Sequence, residues 1–176
     1  MKRNPQNPTV VHLISHNHWD REWIFQAEYV NQWLPSFFEH LFEMLQTQPD
    51  YLFVLDGQTC IIEDYLNQLS EEEAAEKAQK IKEYAQAGRL MVGSAYIQQD
   101  WGLVSGEALV RNFLTGIRMA NELGGVMRVG WLLDNFGQIA QAPQICCGFD
   151  IDGVFVWRGP ELPPESIRTE FQWQAP

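Results

Sequence analysis

Cysteine is scarce in this chain: three residues, Cys60 and the adjacent Cys146 and Cys147, with no C-x-x-C spacing. An odd set without C-x-x-C spacing excludes a disulfide-stapled scaffold and a cysteine zinc ribbon, and is expected of buried thiols in a reducing compartment. Basic residues are also few, 12 Lys and Arg against 23 Asp and Glu, for a formal charge of -11. Without a basic footprint, nucleic acid and anionic membrane are excluded as main partners. No apolar run reaches membrane-spanning length. The start, Met1 to Pro8, leads into no signal-type apolar segment, so a cytoplasmic location is the expectation.

What the chain does have is Val10-Val11-His12-Leu13-Ile14-Ser15-His16-Asn17-His18-Trp19-Asp20-Arg21-Glu22-Trp23. A short β-branched run reads as a buried parallel strand, here from Val10 to Ile14, that empties into His-x-His-x-Asp. Side chains two apart on extended backbone share a face, so His16, His18 and Asp20 make a usable half of a metal site. Three of the four histidines, His12, His16 and His18, lie within seven residues. The alternative is ordinary strand-end polarity, with Asp20 as an N-cap of the next helix.

Beyond this segment strands and helices alternate. Apolar spacing predicts a helix over 28–48 with Pro35 near its first turn or at a kink, a strand over 51–55 ended by Asp56-Gly57, and a short helix over 60–69. Ser70 with Glu73 reads as a capping box opening a helix that Gly88 closes. Strands are expected over 90–93, 129–133 and 153–157. Helices follow over 105–123, ended by Gly124-Gly125, and over 139–147, interrupted at Pro143. This order favours an α/β fold with a parallel sheet or barrel, and at 176 residues the chain is short for a complete eight-stranded one. After Trp157 the sequence turns Pro- and Glu-rich with no sixth clear unit.

Parallel strands of such folds open on one face, where His18, Asp20, the polar loop 94–102, Asp134 and Arg158 should gather. Asp134 follows Trp131-Leu132-Leu133 and precedes a Gly137 turn. It reads as a metal ligand or a nucleophile toward an anomeric carbon, or as a helix N-cap. Arg158, just past Phe155-Val156-Trp157, reads as a holder of a substrate oxygen or carboxylate, or as a structural ion pair. Exposed aromatics beside carboxylates suit a sugar cleft, with Trp19, Trp23, Trp101 and Trp157 as candidate platforms, although in any one case a Trp is more often core.

Together, His16-Asn17-His18-Trp19-Asp20-Arg21-Glu22-Trp23, Asp134-Asn135-Phe136-Gly137-Gln138 and Trp157-Arg158-Gly159 resemble glycoside hydrolase family 38, the class II α-mannosidases. The first motif looks most like the bacterial branch that includes mannosylglycerate hydrolases. The resemblance implies a retaining α-mannosidase whose N-terminal catalytic domain is a seven-stranded β/α barrel holding one zinc ion. It makes His18, Asp20 and Asp134 zinc ligands, Asp134 also the nucleophile, Trp23 the aromatic under the bound sugar, and Arg158 the arginine beside the nucleophile. It places a further His ligand and the acid/base Asp beyond Pro176. Residues 1–176 are then expected to be the N-terminal part of a longer catalytic domain, inactive alone.

The chemistry agrees with that pattern. Retaining hydrolysis needs a carboxylate nucleophile and a second carboxyl group as acid then base, roughly 5 to 5.5 Å apart. The oxygen-rich ligand set suits Zn2+ and is also compatible with Ca2+ or Mn2+. The expected partner is an α-mannoside, with mannosylglycerate, its phosphorylated form and α-linked oligosaccharides all open as substrates. Two other classes stay in view: a metal-dependent sugar deacetylase or amidohydrolase, which activates water on its metal, and a non-catalytic carbohydrate-binding module.

Overall fold

A computed structural model of the chain describes residues 10–158 and 170–176. The Met1–Pro8 start and most of the Pro- and Glu-rich stretch lie outside these. The described chain is α/β, with all strand pairs parallel. The strands are β1 (Ser15–His16), β2 (Phe53–Leu55), β3 (Leu90–Val92), β4 (Gly130–Leu132) and β5 (Val154–Val156). They form a three-stranded sheet in the order β1-β2-β3 and a two-stranded sheet β4-β5. Phe53 pairs with Ser15 on one side and Leu90 on the other, while Gly130 pairs with Val154.

The helices are α1 (Ala27–Val30), α2 (Leu34–Thr47), α3 (Cys60–Leu66), α4 (Glu71–Gln86), α5 (Gly106–Glu122) and α6 (Ala142–Gly148). The single helix expected over 28–48 is divided by a 3₁₀ turn, Asn31–Trp33, and Pro35 sits in the first turn of α2. A proline there gives up an N–H that would have no intrahelical partner. Pro143 does the same at the start of α6, so it begins that helix rather than interrupting it. The capping box is present as read: the Ser70 N–H donates to Glu73 Oε2 at 3.1 Å and the Glu73 N–H to Ser70 Oγ at 3.4 Å.

Two apolar clusters hold these layers. In the first, Leu34, Phe38, Phe42 and Leu45 from α2 pack with Ile61, Ile62 and Tyr65 from α3 and Ile81 from α4 on Phe53 and Leu55. Phe38 stacks on Tyr65 with ring centres 4.1 Å apart. Each fully buried side chain of this size contributes about 1.5–3 kcal/mol. In the second, Trp101, Leu109, Phe113, Leu132, Ala142, Cys146 and Ile151 join α5 and α6 to β4. Trp101 is therefore a core residue, 2% exposed, and not a sugar platform.

The first strand departs from expectation. Val10 to Ile14 precede β1 instead of forming it, and they are exposed, Leu13 by 93%. β-Branched residues favour a strand through packing on a pleated, half-covered surface. Among the described residues β1 pairs only with β2, over two residues, and the apolar run before it stays exposed.

The two sheets are tied together at their carboxyl ends. Gln98 donates through Nε2 to the main-chain oxygens of Asp56 (2.9 Å) and Trp131 (2.8 Å), spanning from the end of β2 to β4. The Met127 N–H donates to Val92 O at 2.8 Å, and the Trp101 N–H to Phe136 O at 2.9 Å. Glycine is required at this crowded end. A Cβ on Gly57, whose φ is +65°, would lie 2.4 Å from Trp131 Cβ, and one on Gly93 would lie 1.8 Å from the Gly57 carbonyl carbon.

Candidate active site and metal centre

β1 ends at His16, so the following residues leave the sheet as a loop, and His16 and His18 part company. The His16 ring lies edge-on to Trp131, centres 5.3 Å apart, with Nδ1 3.0 Å from the oxygen of Asn17. His18 lies instead beside Asp56 and Asp134, past the carboxyl ends of β2 and β4. Its Nε2 is 3.2 Å from Asp20 Oδ1 and 3.3 Å from Asp134 Oδ2. Neither carboxylate is a helix cap: α1 is preceded by Gln26 and α6 by Gln141.

One ligand atom from each of His18, Asp20 and Asp134 lies within 4.8 Å of the others, a group able to hold a metal ion. Four ligands placed tetrahedrally about zinc, each about 2.0–2.1 Å from it, stand about 3.3–3.4 Å apart. The two imidazole-to-carboxylate separations match that edge. The donor set, one imidazole and two carboxylates, fits zinc in chemistry, and its two His18 edges fit in spacing.

Arg158 reaches this group from the end of β5. Its Nε donates to Asp134 Oδ1, and its guanidinium lies 4.6 Å from the centre of the Phe136 ring. Asp134 therefore has one oxygen on the arginine and the other toward His18. A cavity of about 440 Å³ opens over these residues, with His18, Asp20, Trp23, Gln98, Asp134 and Arg158 in its lining. Trp23 is 78% exposed at its edge, and Trp19 instead packs partly buried against the first apolar cluster. Trp157 is also exposed but is not among the residues lining the cavity.

Sequence reasoning missed the group on the far side of His18. Asp56, 1% exposed, faces His18 Nδ1 with Oδ1 at 3.4 Å. Its Oδ2 accepts from the Trp19 N–H at 2.8 Å and from Gln58 Nε2 at 2.7 Å, and Gln58 Nε2 also donates to Trp19 O at 2.9 Å. The signal was available, since Asp56 directly follows an apolar run as Asp134 does, but Asp56-Gly57 also reads as a strand terminator. This contact, opposed by partial burial and supported by the charges of Asp56, Asp20 and Asp134, pushes the His18 imidazole up from 6.5 to about 9. A little farther out, Arg21 forms a two-pronged ion pair with Asp64 at 2.6 and 3.1 Å. Burial pushes the Cys60 thiol up to about 12, which leaves it an unreactive core group.

The chain is 41% identical over 180 residues to a Halalkalibacterium halodurans protein named "Putative mannosylglycerate hydrolase", covering 94% of this chain and 19% of that protein. It is 31% identical over 144 residues to human alpha-mannosidase 2C1, covering 80% of this chain and 13% of that one. In structure it resembles an alpha-mannosidase from Enterococcus faecalis V583, with a TM-score of 0.74 and 34% identity over 81% of this chain and 16% of that chain. The chain thus spans about a fifth or less of the length of these relatives. The family model for the glycosyl hydrolases family 38 N-terminal domain matches residues 8–176, and the chain belongs to that family.

Proposed function

We propose that this chain is the N-terminal part of a retaining, zinc-dependent α-mannosidase and supplies its nucleophile, Asp134. The observation that carries the reading is the convergence of His18, Asp20 and Asp134 within 4.8 Å, with Arg158 on the second oxygen of Asp134. His18, Asp20 and Asp134 would hold the zinc, with a fourth protein ligand from elsewhere in the parent enzyme. Bound there, zinc supplies a Lewis acid for sugar hydroxyls and offsets charge at the reacting centre.

Asp134 attacks the anomeric carbon. The new ester bond forms as the glycosidic C–O bond breaks, and the departing oxygen takes a proton from an acid carried by the rest of the enzyme. Water, deprotonated by the same group, then cleaves the ester and returns Asp134 as a carboxylate. Arg158 holds one oxygen of Asp134 and so fixes the direction of the other. Trp23 offers a ring face to the apolar side of the sugar. In this reading β1 to β5 are strands of the seven-stranded barrel, and all of residues 1–176 belong to one catalytic domain.

Mannosylglycerate is the first substrate to try, because the relative at 41% identity bears that name. A cytoplasmic site of action is in keeping with three unpaired cysteines and with described helices none of which is long and apolar enough to cross a membrane. The test is proton NMR of the full-length protein acting on an aryl α-mannoside. Expected is α-mannose as the first product, with loss of activity on chelation and recovery on adding zinc. β-Mannose as the first product, or turnover indifferent to strong chelation, would overturn the reading.

A further inference from the structure

The ring of His18 is held from both edges, and its two neighbours differ in kind. Asp20 and Asp134 on the Nε2 edge belong to the group able to hold a metal, whereas Asp56 faces Nδ1 and lies outside that group. The Asp56 side chain is only 2% exposed, and its oxygens accept from the Trp19 main chain and the Gln58 amide as well as facing His18. Its backbone sits at φ +44°, followed by Gly57 at +65°, in the turn packed against Trp131. Gln58 is fixed in turn, its Oε1 accepting from Cys60 Sγ at 3.2 Å and from the Gln98 N–H at 3.3 Å. A carboxylate so held cannot drift to follow the imidazole, so the imidazole is oriented by it.

We propose that Asp56 is a positioning residue for the metal centre: it accepts the Nδ1–H of His18, fixes the tautomer with a bare Nε2, and aims that nitrogen between Asp20 and Asp134. A metal-binding histidine works best when its other ring nitrogen donates to a carboxylate, which sets ring orientation and raises ligand basicity. The same contacts solve a local difficulty. His18 lies in a loop after a two-residue strand, and Asp56 and Gln58 pin that loop to the end of β2 through Trp19. The proposal rests on the zinc reading above.

The experiment is zinc affinity of the full-length protein, measured by competition with a chromogenic chelator, for the unsubstituted protein, Asp56→Asn and His18→Ala. Expected is a zinc Kd raised about 10–100-fold in Asp56→Asn, with the chelated variant still folded by circular dichroism, and a larger loss in His18→Ala. Loss in His18→Ala with unchanged affinity in Asp56→Asn would overturn the role of Asp56 alone. Unchanged affinity in His18→Ala would overturn the zinc reading and this proposal with it. If Asp56→Asn does not fold, nitrogen NMR of 15N-histidine in the zinc-loaded, unsubstituted protein decides: a proton on Nδ1 of His18 supports the proposal and a proton on Nε2 overturns it.

Discussion

The two edges of the His18 ring meet opposite environments. On the Nδ1 edge the Asp56 side chain is 2% exposed and held by the Trp19 N–H and the Gln58 amide, while on the Nε2 edge Asp20 is 45% and Asp134 22% exposed beside an open cavity. A buried carboxylate with its lone pairs satisfied can orient a neighbour but cannot exchange partners with substrate. A half-open carboxylate can do both. On the proposed reading, a fixed, buried edge positions and an open edge reacts, and substitutions on the two edges should fail differently.

The largest effect is expected at Asp134. In the full-length enzyme Asp134→Ala removes nucleophile and ligand together, and turnover of an aryl α-mannoside should fall by about 10⁴-fold or more. Steady-state kinetics with zinc in excess checks this, and near-normal turnover would move the water-activating deacetylase or amidohydrolase class ahead.

Next in size is a pH dependence of zinc uptake. With His18 raised from 6.5 to about 9 in the folded chain, its protonation stabilises the chelated protein fully below about 6.5, and that stability is lost as pH rises through about 9. Zinc needs the same imidazole without its proton. Apparent zinc affinity should therefore climb by about tenfold per pH unit between pH 7 and 9 and flatten above that, as read by chelator competition. A flat profile across this interval would mean that no proton is displaced from His18 and would erase the contrast between the two ring edges.

The smallest effect is expected at Trp23, on the rim of the cavity. Trp23→Ala removes a stacking face worth about 1 kcal/mol, so KM should rise roughly fivefold with kcat little changed. A collapse of kcat instead would place Trp23 among the groups that orient the reacting carbon.

The order of strands and helices was legible because each apolar run was bounded by its own stop signal, such as Ser70 with Glu73 or Gly88. The likeness of the His16–Trp23 and Asp134–Gln138 motifs to family 38 was legible for a related reason, since His18, Asp20 and Asp134 sit just past apolar runs within distinctive neighbours. Three features were not. The exposure of Val10 to Ile14 depends on what lies beside them in space, and β-branched composition alone does not carry that information. Helix spacing over 28–48 could not reveal the 3₁₀ turn at Asn31–Trp33, because three- and four-residue periods overlap over so short a span. Asp56 was hidden because a strand-ending Asp-Gly pair serves equally as a turn, and only the loop after β1 folding back onto it exposes its second task.

The most direct test of the account is to look for the bond it requires. The full-length protein is treated with a slow fluorinated α-mannosyl fluoride, digested, and analysed by mass spectrometry. The account predicts a single mannosyl ester on the peptide carrying Asp134, absent from Asp134→Ala. An ester on another carboxylate, or turnover of α-mannosides by a protein on which no ester can be trapped, would contradict it.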